Sequence, residues 1–314
     1  MYTMGDNSIF KKAQDAKNKT ADAVKNEQEY MNSIDNMVNE YINGTGNGGG
    51  SNPTDEPIEN IKSDWATIEK IAKEIAKDDT ITSETEEVKV VVDGKRYIIK
   101  PGDIFEVDYN GEAKRVRVLG FKHDDLVDSG VYGGNHSKAS ITFDFVEFMT
   151  GSTWKQMNSS NTNSGGWAST AMRTFLNGTD GKEKLSNKAY IKQVKKKYIG
   201  TYNNASSVAT SNDYLWLLAS SEIVNSGYQA GAYGYAITSE GPQYQYYKSM
   251  NPTWNAANAG LVKKPTESGS TNYWWLRSPR YSGDTSFCSV GSDGGVNGSG
   301  NASNGYGVAP GFSI

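Results

Sequence analysis

YWWLRSPRYSGDTSFCSVGSDGGVNGSGNASNGYGVAPGFSI occupies residues 273–314. It opens on a dense apolar cluster, YWWL, with one Arg, and Pro279 ends the run. Between Tyr281 and Gly307, Gly, Ser, Asn and Asp fill 19 of 27 positions, and taken alone that composition is too polar to order itself. Yet Phe287, Val290, Val296 and Ala302 recur inside it, and the apolar GVAPGF follows. The pattern predicts an ordered segment of small polar residues hung from a sparse apolar frame. Ordered Tyr, Ser, Gly and Asn are also what antibody paratopes use, because these side chains adapt their hydrogen bonding.

The rest of the 314 residues suits one or two domains. Apolar residues are only 36%, but 19 Tyr and 7 Trp can still build a core, since each aromatic buries a large area. Gly is 34 against 8 Pro, which argues against collagen and against a Pro-rich linker protein. A net charge of -4 gives no electrostatic case for nucleic acid or for an anionic membrane surface. Cys288 is the single cysteine, so an intramolecular disulfide and a cysteine-built zinc site are excluded. No run of about 18 apolar residues is present to span a bilayer.

Outward from the C-terminal stretch, the chain divides by period and composition. Residues 7–42 lack Pro and Gly, and Phe10, Ala13, Thr20, Val24, Met31, Ile34, Val38 and Tyr41 mark a thin helical stripe between Ser8 and Gly44. A Gly- and Asn-rich linker follows, and then a second helix over 58–77 with Pro57 in its first turn and Asp55 or Thr54 as its cap. EVKVVVDGKRYIIK reads as a hairpin turning at Asp93-Gly94, and DIFEVDYNGEAKRVRVLGF as another turning at Asn110-Gly111. SITFDFVEFM alternates less cleanly and fits a strand or a short helix. WASTAMRTFLN reads as a short helix and DYLWLLASSEIV as a buried strand entering a turn. The basic run KQVKKKYI (192–199) is expected to be a solvated helical face.

Catalytic parts are scarce. His123, in FKHDDL, is expected in a solvated turn, and His136, in GGNHSK, in a loop. Carboxylates are plentiful, but no pair stands out for acid–base work. GSDGGVNGSG lacks the Ca²⁺-loop spacing that ends in Glu, and Cys288 has no base linked to it in sequence.

Three blocks, GGWASTAMRTFLN (165–177), DYLWLLASSEI (213–223) and NYWWLRSP through GVAPGFSI (272–314), resemble a bacterial and phage domain of C-type-lectin-like fold. That domain is frequent in gut Firmicutes and is similar to the variable proteins of diversity-generating retroelements. GDIFEV and RVRVLGF (102–121) suit its start. In those systems an error-prone reverse transcriptase substitutes at adenines and rewrites the 3′ end of the target gene. Asn codons then scatter to Ser, Tyr, Asp, Gly, Cys, His and Thr. The resemblance implies a scaffold of Trp274, Trp275, Leu276, Arg277, Phe287, Val290, Val296 and Ala302, with Ser278, Pro279, Gly294, Gly307 and Val308 beside it. It implies exposed, variable, ligand-binding positions at Tyr281, Ser282, Asp284, Thr285, Ser286, Cys288, Ser289, Ser292, Asn297, Ser299, Asn301, Ser303, Asn304 and Tyr306. Tyr281 and Tyr306 are the expected aromatic anchors.

GDNSIFKKAQDAKNKTADAVKNEQEYMNSI (5–34) is similar to the segment that follows the membrane helix in Firmicutes type IV pilin-like proteins. The two resemblances together imply an α+β class, a C-type-lectin-like domain preceded by a pilin-type N-terminal α-helix. The implied layout is a pilin-like helix over 1–43 without its membrane-anchoring part, a Gly-rich linker over 44–57, and a helix and connector over 58–87. The ligand-binding domain then covers 88–314, with a variable region at about 273–314.

The expected function is non-catalytic: an adhesin- or receptor-like protein on a cell surface or pilus. Its expected ligand is an unknown protein or glycan on another cell or phage, with pilus subunits as partners of the N-terminal helix. No nucleic acid, metal or cofactor is expected. The alternatives are a structural pilin-like subunit without diversified binding, or a relative of the formylglycine-generating enzymes. Those enzymes rely on a cysteine pair, which a chain with Cys288 alone lacks.

Overall fold

Glycine at the second turn position lets a chain reverse between two strands with the twist that strands prefer. Both sequence-legible hairpins are built this way. Asp93 and Gly94 have φ of 50° and 76°, and Asn110 and Gly111 have φ of 54° and 88°. The computed structural model describes residues 53–314 except 201, 203, 205, 225–238, 255 and 281–282, and leaves out the side chains of 297–299. The helix expected over 1–43 and residues 44–52 of the expected linker lie outside the described residues. Residues 55–314 form one compact unit.

After the two-residue strand β1 (Thr54–Asp55) and a 3-10 turn at Ile58–Asn60, helix α1 runs over Trp65–Lys77. It starts later than its apolar spacing suggested, because Asp64 caps it by accepting the Thr67 N–H. Strands β2 (Val88–Val92) and β3 (Lys95–Ile99) make the first hairpin. β4 (Ile104–Tyr109), β5 (Glu112–Phe121), β7 (Ile141–Phe145) and β13 (Gly311–Ser313) make a four-stranded sheet of order β13-β7-β5-β4. A second sheet, order β6-β8-β9, combines β6 (Asp125–Leu126), β8 (Val194–Ile199) and β9 (Val208–Asp213). A third, order β10-β11-β12, is a meander of β10 (Trp274–Pro279), β11 (Ser286–Val290) and β12 (Val296–Asn301). The remaining helices are short: α2 (Ala171–Asn177), α3 (Ser220–Ile223) and α4 (Gln245–Met250).

The described chain is therefore dominated by strands in four small sheets, with one helix longer than two turns. This overturns the α+β, C-type-lectin-like class expected above. Two segments account for much of the error. WASTAMRTFLN spends its first residues on a 3-10 turn at Trp167–Ser169, leaving seven for α2. KQVKKKYI is not a helical face: β8 takes Val194–Ile199 and pairs in register with β9.

The core gathers on one face of the four-stranded sheet. On β7, Ile141, Phe143 and Phe145 point one way and Thr142 and Asp144 the other, and all five are buried. Alternation holds over 140–145 and breaks at Phe145-Val146, where the strand ends, and the polar face is as covered as the apolar one. Trp65 of α1 packs on Phe143 (5.5 Å) and Phe312 (5.8 Å), and Phe312 stacks on Phe143 (5.2 Å). The last strand is held twice. Gly311–Ser313 pairs with β7, and Gly311 exchanges backbone hydrogen bonds with Trp216 (2.7 and 3.1 Å).

Phe312→Ala should cost about 3–5 kcal/mol of unfolding free energy, as a cavity opens between α1 and the sheet. Urea denaturation of the variant against the wild type measures it.

Candidate functional site

A buried guanidinium needs a partner for each of its five N–H donors. Arg277 of β10 is fully buried and has all five. Nε donates to the Lys197 carbonyl (2.9 Å), and the two Nη groups reach Glu222 as a fork (2.6 and 2.9 Å). The remaining two donors go to the carbonyls of Leu217 (2.9 Å) and Glu240 (2.7 Å). Thus one side chain ties β10 to β8, to the DYLWLL segment and to the start of α3.

The network continues inward. Lys196, on β8, donates to Glu222 (2.6 Å), to Asp124 (2.6 Å) and to the Tyr244 hydroxyl (3.0 Å). Asp124 also accepts from Thr142 Oγ1 (2.7 Å) and from Tyr244 Oη (3.0 Å). Burial alone would push the Asp124 carboxyl up, but the neighbouring Lys196 ammonium holds it well below the usual carboxylate range. Burial works the same way on Glu222, where Arg277 and then Lys196 pull its carboxyl down. Glu240 behaves oppositely: burial raises its carboxyl despite the Arg277 charge, and it accepts a hydrogen bond from Ser278 Oγ.

His123 is not in a solvated turn as expected. It is buried, its ring lies 3.9 Å from Tyr244, and Nε2 faces the Pro242 carbonyl at 3.1 Å. A second cluster centres on Asp144, which accepts a fork from Arg117 (2.9 and 3.2 Å), Tyr247 Oη (2.8 Å) and Lys263 Nζ (2.9 Å). Burial brings the Lys263 ammonium down to about 8, against the pull of Asp144. Sequence reading missed both clusters, since their members lie far apart in the chain. The one available signal was polar residues at alternate positions of an otherwise apolar strand, Thr142 and Asp144. Asp124 and Glu222 are paired with cations, and with Glu240, His123, Lys138 and Lys196 they also line a cavity of about 150 Å³. Among the described residues no group of three or more His, Cys, Asp or Glu side chains could hold a metal ion. No helix among them is long and apolar enough to cross a membrane.

The surface that the network supports carries the sequence-predicted binding positions. The expected scaffold residues Trp274, Trp275, Leu276, Arg277, Phe287, Val290, Val296 and Ala302 are all buried. The expected variable positions divide. Asp284, Ser292, Asn301 and Asn304 are exposed, and Thr285, Ser303 and Tyr306 are half-buried. Ser286, Cys288 and Ser289 are buried, which corrects their expected exposure. They lie on β11, the middle strand of its sheet, whose residues are covered on both faces. Tyr281, Ser282 and the side chains of Asn297 and Ser299 lie outside the described residues.

The loop after β12 is anchored at nearly every residue. Ala302 N–H donates to Thr285 O (2.8 Å) and Asn158 N–H to Ala302 O (3.0 Å). Gln156 Nε2 donates to Ser303 O (2.6 Å), and Asn161 Oδ1 accepts from Ser303 N–H (3.1 Å). Lys155 and Tyr306 exchange backbone hydrogen bonds (3.0 and 3.1 Å). On the other side, Asn163 Nδ2 donates to the carbonyls of Gly283 (2.7 Å) and Ser286 (2.8 Å). The Tyr306 ring packs on Trp275 (4.4 Å) and on Tyr273 (5.2 Å). Gly300 is required there, because a Cβ would overlap the rings of Trp275 and Tyr306.

Fold and surface together define a β-rich domain that presents a clamped, polar, Tyr-bearing C-terminal surface. The profile of one family, Domain of unknown function (DUF6273), matches residues 139–314, more than half of the chain. The chain belongs to the DUF6273 family. No curated protein and no solved structure matches it.

Two measurements check the site. Asp124 is depressed in the folded state, so its pairing contributes stability above the ordinary carboxylate range and loses it as pH falls below about 4. Asp124→Asn should therefore cost about 3–5 kcal/mol at pH 7, and urea denaturation at pH 3 should show a smaller gap to the wild type. Burial pushes the Cys288 thiol up to about 12, so a thiol reagent at pH 8 should label the denatured chain readily and the native chain hardly at all.

Proposed function

We propose that the chain is a ligand-binding protein, adhesin- or receptor-like, that recognises its ligand with the C-terminal surface formed by the β11–β12 meander and the 301–306 loop. In this reading the exposed positions of that surface are interchangeable, diversified by a retroelement. The chain is displayed on a cell surface or pilus through its N-terminal segment.

One observation carries the reading. Polar residues with exposed side chains, Asn301 and Asn304, and half-exposed ones, Ser303 and Tyr306, sit on a backbone whose hydrogen bonds run to the loop of residues 155–161 and to Thr285. A backbone fixed in this way by main-chain hydrogen bonds tolerates exchange of its outward side chains, Tyr306 excepted, whose ring packs on Trp275. Rigid presentation also lowers the ordering cost of binding. The resemblance of 165–177, 213–223 and 272–314 to retroelement variable proteins supports the diversified part, and that of residues 5–34 to pilin-like proteins supports surface display.

Deep sequencing of the 3′ end of the gene across a population of the host tests it. Substitutions should concentrate at the codons for Asp284, Thr285, Ser292, Asn301, Ser303 and Asn304. Those for the buried Ser286, Cys288 and Ser289 should stay fixed, and a nearby template copy should carry adenines at the changing codons. Substitutions spread evenly over buried and exposed codons would overturn the reading.

A further inference from the structure

Tyr273 was not among the positions the sequence singled out, yet it is 39% exposed beside the loop just described. Its ring stacks on Tyr306, which in turn packs on the buried Trp275. Three aromatic rings thus run from the core to solvent, and the outermost presents its surface to water. Two neutral amides flank them. Asn272 Oδ1 accepts the Tyr273 N–H (2.7 Å), and Asn304 Nδ2 donates to the Tyr306 hydroxyl (3.3 Å). The segments framing the rings, 271–276 and 301–307, contain no charged residue.

The backbone beside the rings is already paired. Gly307 N–H donates to Tyr273 O (2.9 Å), and Trp275 N–H donates to Gly307 O (3.2 Å). An extended peptide therefore cannot add itself here as a strand, since the donors and acceptors it would use are occupied. What remains for a ligand is an aromatic ring with amide and hydroxyl groups at its margin. A pyranose matches that set: its C–H face lies on an aromatic ring while its hydroxyls exchange hydrogen bonds with amides at the ring's edge. Tyrosine supplies this contact with little rotamer freedom to lose.

We infer that Tyr273 is the stacking platform of a binding site for a neutral carbohydrate, and that Tyr306 is a positioning residue that holds its ring in place. This rests on the reading of the C-terminal surface as a recognition surface and names the ligand class it takes.

Isothermal titration of the full chain with hexasaccharides of glucose, mannose, xylose and N-acetylglucosamine tests it. At least one should bind the wild type, and Tyr273→Ala should weaken that binding about tenfold or more. Tyr273→Phe, which keeps the ring, should bind within about threefold of the wild type. Absence of binding by all four, or wild-type affinity in Tyr273→Ala, would overturn the carbohydrate assignment. If the population sequences still concentrate their changes at the exposed codons, recognition stands and only the ligand class falls. If that concentration is absent as well, both readings fall.

Discussion

The buried fork between Arg277 and Glu222 is the constraint around which the described chain is arranged. A guanidinium removed from water is costly unless every donor is satisfied. Here the five partners come from β8, the Leu217 carbonyl, Glu222 and the Glu240 carbonyl. Only one relative placement of those segments satisfies them all, so the ion pair specifies geometry as well as pairing charge. Lys196 extends the same requirement to Asp124 and, through Thr142, to the four-stranded sheet. The Asp144 cluster repeats the device from the next polar position of β7.

The C-terminal surface depends on this support. β10 carries Arg277 inward, and the residues just before it, Tyr273 and Trp275, supply the rings on which Tyr306 rests. The strand is fixed from below, and the loop above is held by hydrogen bonds to residues 155–161 and to Thr285. Of the side chains it points outward, Tyr306 packs on Trp275 and Tyr273, whereas Asn304 is exposed.

Part of this was legible in the chain itself. Asp93-Gly94 and Asn110-Gly111 gave the hairpins, because a primed turn requires residues that adopt positive φ. Trp274 through Arg277 and the spaced Phe287, Val290 and Val296 read as a frame. The class did not follow, however. β8 contains Lys195, Lys196 and Lys197 in succession, which reads as a solvated helical face until Lys196 meets two carboxylates that arrive from elsewhere in the chain. Ser286, Cys288 and Ser289 were expected to be exposed because the resemblance to variable proteins implied it, and nothing local says that β11 is covered on both faces.

By itself, then, the sequence determined the features that rest on neighbours in the chain. These are the turns set by glycine, the apolar frame inside a polar stretch, and the exclusion of an intramolecular disulfide by Cys288 standing alone. Tertiary structure alone decided which polar groups are buried, since a charge can leave water only when its partner is brought to it. The partners of Arg277, Lys196 and Asp144 come from segments distant in sequence. It also decided which rings of the last forty residues face water, because the exposure of Tyr273 depends on how Tyr306 and Trp275 stack beneath it.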